Sequence, residues 1–78
     1  MSDIVRELDR LDHLIEIKEE QHRRIVDTAS RLIENGADFN VLKDVEDQIL
    51  RDLNELRKRR NELLKIYIEK YLKRHRKS

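Results

Sequence analysis

The side chains of this 78-residue chain whose types and spacing could do chemistry fall in three places. Glu19 and His22 stand as Glu-x-x-His, so a helix would set a carboxylate and an imidazole on one face. Those are donors a transition metal accepts, and Asp52 or Glu55 could supply further ligands. Arg57-Lys58-Arg59-Arg60 is a run of four cations of the kind that binds phosphates. The third group closes the chain. From Lys70 onward, Lys70, Lys73, Arg74, Arg76 and Lys77 meet no acid, and Tyr67 and Tyr71 lie four apart on one helical face. Such rings can stack on bases or sit at a lipid headgroup boundary while the cations reach phosphates.

Each group has a plainer reading in helix packing. Glu-x-x-His resembles the motif of the di-iron carboxylate bundles, which would imply Glu19 and His22 as metal ligands in a dimer. In a chain with 17 Asp and Glu, however, a four-residue match arises easily, and Lys18 would set a cation beside the metal. The expectation is therefore no metal and no cofactor, with the metal-binding bundle a distant third reading. The run Arg57 to Arg60 falls opposite Glu16, Glu19 and Glu20 if the chain folds back on itself, which reads as a salt-bridged face. The chain has no cysteine, no Gly-rich phosphate loop and no Ser-His-Asp arrangement, so it is expected not to be an enzyme.

The elements that must position these groups are two long helices. Gly36 is the only glycine, there is no proline, and both flanks carry apolar residues at helical spacing. Ser2 or Asp3 can cap the first arm, whose seam runs Ile4, Leu8, Leu11, Ile15, Lys18, His22, Ile25, Ala29 and Leu32 in steps of four and three. Asn35-Gly36 stops it, and Asp38 or Asn40 can cap the second arm. That arm carries Leu42, Val45, Ile49, Leu53, Leu56, Leu63 and Tyr67, with Arg60 in a seam position and the spacing shifting near Val45 and Ile49. Val5, Leu14, Val26, Ile33, Leu50, Leu64, Ile66 and Tyr71 widen the two stripes. The expected fold is all-α: one domain over 1–78, with helix 1 at about 3–34, a loop at about 35–39, helix 2 at about 40–74 and a basic tail at 75–78.

A short loop makes the helices antiparallel neighbours, with positions whose numbers add to about 75 opposite one another. Leu8 then falls near Tyr67, Leu11 near Leu64 and Leu32 near Leu42. The polar seam residues Lys18, His22 and Arg60 are read as setting register and oligomeric state, with His22 reaching Asp52.

Charge sorts the arms. Up to Phe39 ten acids face six Lys and Arg, a balance of −4; from Asn40 seven face twelve, a balance of +5. The arms are complementary, either within one hairpin or between two copies. With only 37% apolar residues and three aromatic rings, one copy has little material for a core, and two-helix seams leave the widened stripes uncovered. A homodimeric four-helix bundle is the simplest closure.

The functional expectation is a non-enzymatic association module, structural or adaptor, whose partner is another copy or another helical protein. In architecture it is similar to Rop-like hairpin dimers and to designed bundles. The alternative is a Rop-like nucleic-acid-binding hairpin, whose contacts would be Tyr67, Lys70, Tyr71, Lys73, Arg74, Arg76 and Lys77, because the first arm leaves that cationic end unanswered. Absent Cys, Pro and Trp fit a designed bundle; Lys18, His22, Arg60, Ile68 and Leu72 fit a natural chain with a partner. No apolar run is long enough for a membrane span, and a cytoplasmic, soluble chain is expected.

Overall fold

Nothing interrupts helix on either side of Asn35-Gly36, and both flanks are accordingly unbroken. In the computed structural model, which describes residues 3–72, helix α1 spans Asp3–Glu34 and helix α2 spans Asn40–Tyr67. α2 continues into a wider π-helical turn, Ile68–Leu72. The two pack antiparallel as a rod of 65 × 17 × 16 Å. Ordinary α-helix thus ends at Tyr67, earlier than the expected 74; Ser2, residues 73 and 74 and the tail at 75–78 lie outside the described residues.

The reversal is a Schellman turn. The Ala37 N–H bonds the Leu32 carbonyl at 2.8 Å and the Gly36 N–H bonds the Ile33 carbonyl at 3.0 Å, so two carbonyls at the end of α1 are satisfied. Gly36 takes φ +71°, which side chains disfavour even where there is room, and nothing lies within 4 Å of an added Cβ. Gly36→Ala is therefore expected to cost about 1–2 kcal/mol purely from backbone conformation, measured as a lowered thermal midpoint with an unchanged helical spectrum. At the start of α2 the sequence expectation of an Asp38 or Asn40 cap needs correcting. Phe39 holds the capping position without a side-chain bond. Asp38 accepts the Asn40 N–H at 3.0 Å from one residue further out, and Asn40 is already in the helix.

Leu11, Ile15, Ile49, Leu53 and Leu63 are buried. Ile15, Ile49 and Leu53 pack together, with Ile25 and Leu56 against them. Ile4, Leu8, Ala29, Leu32, Leu42 and Tyr67 are half-buried, as are Lys18, His22 and Arg60, so the seam is continuous but thinly covered. Val45 is not part of it: Val45 is exposed and Glu46 is half-buried in its stead. With Glu46 included, Leu42, Glu46, Ile49 and Leu53 step by four, three and four. The apparent shift in spacing came from choosing the apolar neighbour of a polar seam residue.

The register also differs from the expected one. Ion pairs across the hairpin join Lys18 to Asp52, His22 to Glu46, Glu19 to Arg57 and Asp12 to Arg60, whose position numbers add to 70, 68, 76 and 72. They centre near 71, not 75. The cause is the matching of two seams with alternating steps: near 71, Leu8 falls opposite Leu63, Ile15 opposite Leu56 and Ala29 opposite Leu42. At 75 Leu11 would face Leu64, which is exposed.

Candidate association surface

The polar seam residues are paired across the hairpin. Lys18 Nζ lies 3.0 Å from Asp52 Oδ2, and His22 Nε2 lies 3.2 Å from Glu46 Oε2, with all four side chains about one-third exposed. Contrary to the sequence expectation, His22 does not reach Asp52; Lys18 occupies that carboxylate, and the register brings Glu46 to the imidazole. Glu46 was missed because it carries no apolar signal, yet its place in the stepping of four and three identifies it.

Lys18, and after it the Gln48 amide at 3.1 Å, hold the Asp52 carboxyl below the usual carboxylate range. A carboxyl whose folded pKa is depressed stabilises the fold above its unfolded value near 3.9 and loses that contribution as pH falls through the folded value. Lys18→Met should raise the Asp52 titration toward the ordinary range, read by carbon-detected NMR. An unmoved titration would mean that the pair does not persist in solution.

The cationic run is divided. Arg57 donates to Glu19 at 3.0 Å, Arg60 to Asp12 at 3.5 Å, and Arg59 lies 4.0 Å from Glu62 on its own helix. Of the three carboxylates expected to oppose the run, Glu19 alone does so. Glu20 pairs within α1 with Arg23 and Arg24, and Glu16 is exposed beside the same open groove as Arg57. Asp12 was missed because the expected register set Arg60 opposite Ile15. Glu19 and His22 thus turn to different partners, Arg57 and Glu46, and among the described residues no three His, Cys, Asp or Glu side chains are grouped to hold a metal ion.

At the far end the Tyr67 and Tyr71 rings lie against each other, centroids 4.8 Å apart and tilted by 37°, with Lys70 Nζ 5.8 Å from the Tyr71 centroid. Both rings are half-buried, so each already has a neighbour on one face. Lys73, Arg74, Arg76 and Lys77 lie outside the described residues.

What the pairings leave uncovered is a face. Beside the α1 seam, at steps of seven, stand Val5, Asp12, Glu19, Val26 and Ile33; beside the α2 seam stand Leu50, Arg57 and Leu64. In an antiparallel pair these columns flank the same side, as the Glu19–Arg57 bridge shows. Val5, Val26, Ile33, Leu50 and Leu64 are 42–56% exposed. The opposite side offers Ile17, Val45 and Ile66, 43–48% exposed, with Leu14 half-buried, among Lys18, Asp52, Glu55 and Arg59. An outward helix face normally carries polar residues, and a stripe wider than a two-helix seam belongs to a bundle. No helix among the described residues is long and apolar enough to cross a membrane. The chain matches no protein-family model, no curated protein and no solved structure.

Proposed function

We propose that this chain is a non-enzymatic helical-hairpin association module, structural or adaptor in role, that self-associates as a homodimeric four-helix bundle. The observation that carries this reading is the side bearing Val5, Val26, Ile33, Leu50 and Leu64. These five large apolar side chains sit at seam-flanking positions and remain 42–56% exposed in one copy. Among the described residues a single hairpin buries five apolar side chains, too few to close a core, and the flanking columns are what a second helical pair would cover. The charge pattern supports a second copy as occupant: α1 carries nine acids against six Lys and Arg, and α2 six against seven.

The test is thermal unfolding over a range of concentrations. A dimer that closes the core unfolds at a midpoint that rises with protein concentration, because association is linked to folding by mass action. A midpoint independent of concentration, together with a monomeric mass, contradicts the proposal. The nucleic-acid alternative has less support among the described residues, since Tyr67 and Tyr71 already lie against each other and Arg57 and Arg60 are bridged to α1.

A further inference from the structure

We infer that the second copy docks on the Leu50–Arg57–Leu64 side with its loop at the same end, so that α1 of each copy lies antiparallel against α2 of the other. This rests on the self-association proposed above and adds the topology of the bundle. A two-fold dimer of face-to-face hairpins has two simple arrangements. With the dyad along the helices, the loops sit together and unlike helices meet. With the dyad across the helices, the loops sit at opposite ends and like helices meet.

The columns discriminate between them. With the dyad along the helices, heights are unchanged, so the register near 71 governs contacts between copies as it does within one. Leu64 then comes level with the partner's Val5, Arg57 falls between the partner's Asp12 and Glu19, and Leu50 between the partner's Glu19 and Val26. Apolar meets apolar at Leu64 and Val5, and the cation sits among acids. With the dyad across the helices, α1 lies on α1 and α2 on α2. Glu19, midway along Asp3–Glu34, then meets its own copy at the dyad, Asp12 falls toward the partner's Val26, and Arg57 toward the partner's Leu50. Val5 falls level with the partner's Ile33 there, but like charges meet at Glu19, and Asp12 and Arg57 oppose apolar side chains. Unpaired or like-charged neighbours at flanking positions are the devices by which helical bundles reject wrong arrangements.

The experiment is distance measurement between spin labels on the full chain. Ala37 is exposed in the loop and Arg6 is exposed near the start of α1, so a cysteine at either site leaves the seam untouched. In Ala37→Cys labelled in both copies, the arrangement along the helices gives a label separation of the order of 20 Å, about two helix packings. The crossed arrangement gives roughly 50 Å, the length of a 32-residue helix at ~1.5 Å per residue. A mixture of Ala37→Cys and Arg6→Cys chains inverts the pattern: long for loops together, short for loops apart. A dimeric mass with the long Ala37 separation overturns the topology and leaves self-association standing. A monomeric mass at every concentration overturns both.

Discussion

Leu53→Ala is expected to lower stability by about 2–5 kcal/mol, the range for truncating a buried leucine where the surroundings collapse only partly. Leu53 is 3% exposed and packs with Ile15 and Ile49 in a buried cluster at mid-hairpin. For a chain of this size each ~1 kcal/mol moves the thermal midpoint by roughly 4–8 °C, so the shift should be of the order of 8–40 °C. Because this small core has few neighbours to compensate, the loss falls on folding and association together. Val41→Ala is the matched control: Val41 is 77% exposed, and its truncation should stay within about 0.5 kcal/mol. Equal effects at the two positions would contradict the placement of the core.

The second large effect is expected from Leu50→Lys with Leu64→Lys. Leu50 and Leu64 are 44% and 43% exposed in one copy, and in the proposed dimer the second copy would cover them. Burial of such a side chain is worth roughly 1.5–3 kcal/mol when complete, and a symmetric dimer loses each contact twice. Even at half burial the total reaches about 3 kcal/mol, or a loss of ~100-fold or more in the dimerisation constant. The hairpin contacts of one copy are untouched, so helicity measured at high concentration should persist while the dimer dissociates. A double variant that dimerises as tightly as the parent would assign the contact to another side of the rod.

The sequence carries this fold largely in its punctuation. One glycine at the midpoint of a proline-free chain marks the reversal, and Gly36 does adopt the left-handed conformation there. Every apolar seam residue but Val45 is buried or half-buried, because steps of four and three leave one stripe that faces a partner helix. The seam and register errors are linked. Lys18, His22 and Arg60 were placed on the seam, but the fourth polar seam position, Glu46, was passed over for its apolar neighbour Val45, and the register was misplaced by about one turn. That displacement reassigned Asp52 from His22 to Lys18 and hid Asp12. The cap of α2 was misplaced by residue type alone: Asp38 bonds the Asn40 N–H without occupying the cap itself. The change from α- to π-helix at Ile68 has no marker in the residues around it.

The association face was partly legible. Val5, Val26, Ile33, Leu50 and Leu64 stand out as residues that widen the stripes, but their common side follows only from the antiparallel register. Polarity at Asp12, Glu19 and Arg57 is what separates the two proposed dimer arrangements, and the part of Asp12 in it was invisible while Glu16, Glu19 and Glu20 were set against the cationic run.

Sedimentation equilibrium of the unmodified chain from micromolar to millimolar concentration tests self-association most directly. The predicted result is a mass approaching twice 9.6 kDa, reversible on dilution, and held at 9.6 kDa by Leu50→Lys with Leu64→Lys over the range in which the parent is dimeric. A mass of 9.6 kDa for the parent throughout, with helicity intact, would contradict the account.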